Sequence, residues 1–254
     1  MAFRVTVLGS GTILPSCERR ATSLLVESGE HSLLFDCGPG TLDALEENGF
    51  SFRKLRVVFF THFHPDHSLG IGHLLAAINV DPASRYEGKL AFYGPRGLVD
   101  LVSKWNALYR STAPKWDFLE LHEIDAATVP LSDGTTVRAA IARHGDVSAL
   151  SYRVDHRGKS IVYTGDTSHT ETLVELARGA SLFISECCFP DSRAVEGHLT
   201  PSAVGRIAAA AAVRHAILVH MYPVFDEENP LVEVRKHYHG PVEIGYDGLE
   251  FDLE

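Results

Sequence analysis

Long apolar runs are missing from this chain of 254 residues. No stretch reaches the roughly 18 unbroken apolar residues that span a bilayer. The chain enters a strand-like segment near Arg4, without the apolar core and small-residue cleavage site of a signal peptide. We therefore predict a cytoplasmic protein with no membrane partner.

Cysteines are few, and none of them forms a C-x-x-C pair; they are Cys17, Cys37, Cys187 and Cys188. Adjacent cysteines rarely bridge each other, so a disulfide framework is not expected. No basic partner is evident beside Cys37, which is therefore interpreted as a buried structural thiol. Buried or partly buried free thiols are the interpretation for the other cysteines as well.

Basic residues are scattered and outnumbered by acidic ones, which gives a formal net charge of −10. Two bound divalent cations would leave a charge of about −6. An acidic surface disfavours non-specific binding to RNA or DNA. It remains compatible with a small phosphorylated substrate that metal ions attract.

Two common catalytic motifs are also absent. A strand is followed by Gly9-Ser10-Gly11, but Leu14 stands where a dinucleotide loop needs its third glycine, and no helical pattern follows. No G-x-S-x-G nucleophile elbow occurs. The sequence therefore indicates neither a dinucleotide-dependent enzyme nor a serine hydrolase of that type.

Short apolar and β-branched segments alternate with amphipathic ones along the whole chain. No repeat or linker divides it, so we expect one domain over residues 1–254. Strands are predicted over residues 4–8, 23–27, 32–35, 57–60, 89–93, 135–142, 150–154, 160–163, 182–185 and 215–219. Helices are predicted over 68–79, 95–109, 170–178 and from Thr200 to about Val213. This pattern favours two packed sheets with helices outside.

Residues 61–67 read T-H-F-H-P-D-H and directly follow the apolar strand at 57–60. Alternate side chains of an extended chain point to one side, so His62 and His64 can bind the same ion. The proline then ends regular strand pairing, and the adjacent aspartate and histidine diverge from the first pair. Two ligand pairs separated by a turn suit two ions, and both ligand types suit Zn²⁺.

Three further candidate ligands each follow an apolar strand. His144, Asp166 and His220 stand at the carboxyl ends of predicted strands, where open sheets place functional groups. The candidate metal ligands are therefore His62, His64, Asp66, His67, His144, Asp166 and His220.

These motifs resemble the metallo-β-lactamase superfamily and, within it, the ribonuclease Z-like group. The resemblance covers most of the chain, at residues 8–12 with Pro15, 35–41, 61–67, 93–97, 163–167, 185–189, 197–200 and 219–220. It implies an α+β fold, a four-layer αββα sandwich with the site at one edge. It also implies phosphodiester hydrolysis and a homodimer.

The resemblance divides the ligands between two ions. It implies His62, His64 and His144 on one ion, Asp66, His67 and His220 on the other, and Asp166 bridging both. Two zinc ions are the expected cofactors, and Mn²⁺ or Fe²⁺ could fill the same ligands.

Three residues are expected to act in catalysis. Glu186 and His198 match the acid and histidine motifs of the family, and a histidine held by a carboxylate is a suitable general acid. We expect Glu186 to orient His198. Asp66 is expected to orient the attacking nucleophile or accept its proton, in addition to binding an ion.

The arm with which transfer-RNA-processing members of the family grip their substrate is missing. That arm lies between the segments that match 152–154 and 160–163, and here residues 155–159 suffice only for a hairpin turn. A small phosphodiester is therefore the favoured substrate, with RNA disfavoured. The alternatives are a tRNA 3′-processing endoribonuclease, a lactone, ester or thioester hydrolase on the same metals, and a non-catalytic scaffold protein.

Overall fold

Two β-sheets pack face to face in the computed structural model, which describes residues 3–80, 88–109, 118–226 and 228–253. The described strands are β1 Phe3–Gly9, β2 Ser23–Ser28, β3 His31–Phe35, β4 Val57–Phe59, β5 Leu90–Gly94, β6 Leu119–Glu123, β7 Ala127–Pro130, β8 Thr136–His144, β9 Val147–His156, β10 Lys159–Tyr163, β11 Leu182–Glu186, β12 Ala216–Val219, β13 Val242–Ile244 and β14 Glu250–Asp252. The helices are α1 Thr41–Glu47, α2 Pro65–Ser68, α3 Gly70–Val80, α4 Leu98–Leu108, α5 Glu171–Ala177, α6 Pro201–Ala210 and α7 Pro230–Val234. Within the described ranges, no helix has the length and apolar character needed to cross a membrane.

Each sheet contains seven of the described strands. The first has the order β14-β1-β2-β3-β4-β5-β6, and the second has the order β13-β12-β11-β10-β9-β8-β7. In the second sheet β10, β11 and β12 are parallel, while β9 is antiparallel to both β8 and β10. The carboxyl ends of β8, β10, β11 and β12 therefore lie at one edge of this sheet.

Consecutive residues of the central strands pack into different cores. In β4, Val58 packs in a core shared with α1, α3 and α4, whereas Phe59 packs between the sheets. In β10, Ile161 lies between the sheets and Val162 packs in a core with α5, α6 and α7. Both faces of these strands are covered, which explains their continuous apolar sequences. The predicted four-layer αββα sandwich is confirmed.

The ten strands predicted from sequence are present, with small shifts at their ends. Strands β6, β7, β13 and β14 are not predicted from the sequence, because they are short or half-exposed and lack a continuous apolar run. The short helices α1, α2 and α7 are not predicted either. Helix α6 ends before the predicted Val213, because Ala212 turns into the left-handed region at φ 51°.

Residues 155–159, where the sequence predicts only a hairpin turn, form a tight turn. His156 pairs with Lys159, so the turn consists of Arg157 and Gly158, at φ 47° and 77°. Two residues with positive φ are characteristic of a type I′ hairpin turn. The prediction of a hairpin turn at this position is confirmed.

Candidate metal centre

Asp36 holds the histidine-rich turn that follows β4. Its Oδ1 accepts the Thr61 backbone N–H at 2.7 Å, and its Oδ2 accepts from His67 Nδ1 at 2.7 Å and from the Tyr163 hydroxyl at 2.9 Å. Asp36 is fully buried and adopts a left-handed φ of 58°. A non-glycine residue in this region is strained, and such strain persists where the surroundings enforce it. The backbone at Asp36 is thus shaped to orient the turn.

Two glycines of the motifs are required by close packing. A Cβ on Gly38 would lie 2.0 Å from the Asp66 carbonyl oxygen. A Cβ on Gly165 would lie 2.6 Å from the Thr61 Cβ, and Gly165 has a φ of 54°. Both glycines let the loops after β3 and β10 approach the histidine-rich turn, which brings Asp166 to the site.

The first group of candidate ligands contains His62, His64, His144 and Asp166, whose ligand atoms lie within 4.8 Å of one another. His64 Nδ1 lies 3.1 Å from His144 Nε2. Asp166 Oδ2 lies 3.7 Å from His62 Nε2 and 3.8 Å from His144 Nε2. The structure therefore brings together the residues that the resemblance implies for one ion.

The second group contains Asp66, His67 and His220, again with ligand atoms within 4.8 Å of one another. His67 Nε2 lies 3.2 Å from His220 Nε2, which lies 3.3 Å from Asp66 Oδ2. Asp166 Oδ1 lies 3.4 Å from His67 Nε2 and 3.5 Å from His220 Nε2. Because its other oxygen faces the first group, Asp166 stands between the two groups, where a bridging ligand would stand.

The donor set fits two divalent cations. Two imidazole nitrogens bound tetrahedrally to one Zn²⁺ at about 2.0–2.1 Å lie roughly 3.3 Å apart, close to the observed separations of 3.1 and 3.2 Å. The buried His62 Nε2 has no hydrogen-bond partner among the residues that the structure describes. An unpartnered buried nitrogen aimed at a carboxylate and further imidazoles is costly unless a ligand completes it.

The charges in the two groups are strongly coupled. Burial, aided by the neighbouring His67, lowers the pKa of His62 well below its usual value. Burial also opposes the charged form of His67, but Asp166 and Asp36 outweigh it and raise the pKa of that imidazole. Burial would raise the pKa of Asp166, yet His220 and His67 hold it well below the usual range. These neighbours therefore favour the ionised carboxylate, which is the form that binds cations.

Glu186 and His198 lie beside the candidate ligands. His198 Nδ1 lies 3.1 Å from Glu186 Oε2 and 3.9 Å from Asp166 Oδ2, and its ring centroid is 4.8 Å from that of His144. Burial lowers the pKa of His198, but the hydrogen bond and charge of Glu186 outweigh it, and the net shift is upward. The pair thus has the geometry of a cation held by a carboxylate.

The structure brings every predicted site residue into the candidate metal centre or directly beside it. Sequence reasoning missed two more members, Asp36 and Cys188. Asp36 belongs to a recognised motif, but its pattern carried no information on contacts. Cys188 was interpreted as a free thiol, and it is free and buried, yet its Sγ lies 3.0 Å from His220 Nδ1. Burial and the Glu186 carboxylate raise the pKa of Cys188 well above its usual value.

Residues 31–221 match the family model of the β-lactamase superfamily domain. The chain belongs to the metallo-β-lactamase superfamily. Among relatives of this metallo-β-lactamase-fold chain, an uncharacterized protein of Mycobacterium leprae is 31% identical over 100% of this chain and 90% of its own length. Ribonuclease Z of Myxococcus xanthus is 28% identical, covering 99% of this chain and 98% of its own.

The fold comparison agrees. The metallo-β-lactamase-fold protein YhfI of Bacillus subtilis superposes with a TM-score of 0.85 at 26% identity, covering 100% of both chains. These relatives place the chain in the ribonuclease Z-like group, and its His/Asp clusters are those of a metal-binding protein. The metallo-β-lactamase-fold chain is a metal-dependent hydrolase of this superfamily.

Proposed function

We propose that this hydrolase is a dinuclear phosphodiesterase that cleaves small phosphodiesters. The observation that carries the proposal is the Glu186–His198 pair, located beside both ligand groups. Negative charge builds up on the phosphate and on the departing oxygen of a phosphodiester, and a protonated His198 held by Glu186 could offset that charge. The pair also matches the acid and histidine motifs of the ribonuclease Z-like group, which favours a phosphodiester over an acyl substrate.

Different residues of the site would bind the ions and assist the attacking water. His62, His64 and His144 would hold one ion and Asp66, His67 and His220 the other, with Asp166 shared between them. Two divalent ions bound there supply Lewis-acid stabilisation of phosphate oxygens and lower the pKa of water. Asp66 would bind one ion and could orient the attacking water as a carboxylate: burial raises its pKa, but the neighbouring His220 and His67 outweigh burial and lower it, which favours the ionised form.

His198 acts as the general acid in this proposal. Its Nδ1 is engaged by Glu186, so Nε2 is the atom available to the leaving oxygen. The raised pKa keeps the imidazole protonated at higher pH than an isolated histidine. Glu186 is itself held in place, since its Oε1 accepts the Thr167 backbone N–H at 2.6 Å.

A cavity near the candidate centre is compatible with a small substrate. It has a volume of about 640 Å³ and is lined by Tyr222, whose ring centroid lies 6.2 Å from that of His220, although none of the candidate ligands lines it. Thr12, Arg19 and Phe225 also line it. This volume is in the range of small-molecule sites, while the tight turn at Arg157-Gly158 replaces the arm that grips tRNA.

The test compares three substrates on the protein loaded with Zn²⁺ or Mn²⁺: bis-p-nitrophenyl phosphate, a lactone and a 3′-extended precursor tRNA. Loss of a general acid predicts that His198→Ala lowers phosphodiester kcat by roughly a hundredfold or more. The matched control is His169→Ala, at an exposed histidine nearby, and it should retain wild-type kcat.

The other outcomes point to the alternative functions. Efficient cleavage of the tRNA would show that the missing arm does not exclude RNA. Lactone turnover that is indifferent to His198, without phosphodiesterase activity, would overturn the proposal. Zinc as the native metal, the homodimer, the cytoplasmic location and the single domain over 1–254 stay predictions. Metal analysis of the purified protein and light scattering test the first two.

A further inference from the structure

We propose that Cys188 is a positioning residue, which orients the candidate metal ligand His220 and the Glu186–His198 pair through one thiol. Its Sγ lies 2.7 Å from Glu186 Oε2, 3.0 Å from His220 Nδ1 and 3.1 Å from His198 Nδ1. Three functional side chains from two loops and a strand end therefore meet at one buried sulfur atom. The catalytic half of this role rests on the proposed phosphodiesterase function, whereas the metal-binding half does not.

The proton positions follow from the surroundings of His220. Its Nε2 faces the ligand cluster, with Asp66 Oδ2 at 3.3 Å. An imidazole that binds a cation through Nε2 carries its proton on Nδ1, and that N–H must donate to an acceptor. The acceptor within reach is the Cys188 sulfur.

Two of the other ligand histidines are oriented by oxygen atoms. His67 Nδ1 pairs with Asp36 Oδ2 at 2.7 Å, and His144 Nδ1 pairs with the Gly197 carbonyl oxygen at 2.8 Å. Such partners determine the ring orientation of a metal-binding histidine. His220 also has a left-handed φ of 54°, so its strained backbone depends on side-chain contacts to hold the ring in place.

The single proton of the thiol is directed towards Glu186. A neutral thiol donates once, and the 2.7 Å contact with Glu186 Oε2 uses that proton. Glu186 then accepts from Thr167, Cys188 and His198, which fills both its oxygens. The three side chains thus form one hydrogen-bond network around the sulfur and the carboxylate. The His220 Nδ1–H donates to the Cys188 sulfur, and the Cys188 thiol donates to Glu186. His198 Nδ1–H donates to the same carboxylate, and no covalent bond changes.

The neighbouring Cys187 is a matched control. It is equally buried, but its side chain belongs to the apolar core that packs against α5 and α6. Substitution of either cysteine by alanine removes one sulfur from a buried position. Only Cys188→Ala removes the acceptor of His220 and a donor to Glu186.

The experiment measures metal affinity on substrate-free protein by competition with a chelator, for both ions. Loss of an outer partner of a ligating histidine typically weakens binding by about 10–100-fold. We expect that loss for one ion in Cys188→Ala, a smaller loss in Cys188→Ser, and none in Cys187→Ala. Serine keeps a donor and an acceptor, but its shorter bond cannot reach all three partners. In substrate assays, Cys188→Ala should lower kcat more than it changes KM.

Urea unfolding of the metal-free variants separates orientation from packing. Both alanine variants should lose stability through the removed sulfur, and Cys188→Ala should lose more because Glu186 and His220 each lose a hydrogen-bond partner. Only the Cys188 variant should lose metal affinity. Equal metal affinity in the two alanine variants would overturn the inference, and so would Cys188→Ser binding as weakly as Cys188→Ala. Because these measurements need no substrate, absence of phosphodiesterase activity in the wild type would defeat the proposed function and leave this inference standing.

Discussion

Replacement of Asp36 by asparagine is the most direct test of how the turn that carries the histidines is held. Within the described residues, the hydrogen-bond partners of the Asp36 carboxylate are all donors. The Thr61 backbone N–H reaches Oδ1, and the Thr61 hydroxyl, His67 Nδ1 and the Tyr163 hydroxyl reach Oδ2. An asparagine side chain presents one acceptor oxygen and one NH₂ group to this set.

The loss of stability can be worked out from the more favourable of the two orientations of the asparagine side-chain amide. With its oxygen at the Oδ2 position, the amide keeps three bonds and sets its NH₂ against the Thr61 N–H. The two donors that then face each other cost at least the roughly 1–3 kcal/mol of one unsatisfied buried donor, and loss of the charge on the remaining bonds removes roughly another 1 kcal/mol. We therefore expect Asp36→Asn to lower the free energy of unfolding of the metal-free protein by about 2–4 kcal/mol.

The assay is urea denaturation of the metal-free protein, paired with chelator competition for metal affinity. Affinity for the ion held by His67 should fall by about 10–100-fold, because its orienting carboxylate is gone. The control is Asp43→Asn, on the exposed side of α1, which changes the net charge equally. If Asp36→Asn were no less stable than Asp43→Asn and bound metal as tightly, the carboxylate would not orient the turn.

Three more predictions concern the charge of Glu186, the cavity lined by Tyr222 and the bound metal ions. Glu186→Gln removes the carboxylate that raises the pKa of His198. Because the protonated imidazole is the active acid, the alkaline limb of the plot of kcat against pH should move to lower pH. An alkaline limb that does not move would exclude His198 as the general acid. Tyr222→Ala removes an aromatic wall of the cavity and should raise KM by up to about tenfold, for an aromatic contact worth roughly 0.5–1.5 kcal/mol, whereas Tyr222→Phe should keep the wild-type KM. Removal of metal by a chelator should lower Tm, and restoring the ion at about a thousand times its Kd should return about 4 kcal/mol of stability; a Tm independent of metal would argue against binding to the folded state alone.

Local sequence patterns were sufficient to predict the central strands, the candidate ligands and the break between the ligand pairs. His62 and His64 point together because side chains alternate along an extended chain. Pro65 begins α2, and so separates Asp66 and His67 from the first pair. Buried strands such as β4 and β10 carry apolar residues on both faces, so a continuous apolar run in the sequence predicts them without knowledge of the neighbouring strands. The hairpin between β9 and β10 follows from its length alone.

Short edge strands could not be predicted in the same way. The three-residue strands β13 and β14 lie at the edges of the two sheets and pair with β12 and β1. Their sequences are too short for a period to be recognised. What makes them strands is an existing sheet edge with unpaired backbone groups, which is supplied by residues far away in the chain.

The tertiary structure alone decided which side chains support the ligands. Asp36 contacts His67 across 31 residues of sequence, and Cys188 contacts His220 across 32. A hydrogen bond depends on ångström-scale distance and direction, and these are produced by sheet register, strained backbone at Asp36 and His220, and the close approach at Gly165. Residue type and spacing therefore determined which ligands this protein offers to metal ions, whereas packing of the two sheets decided how those ligands are held.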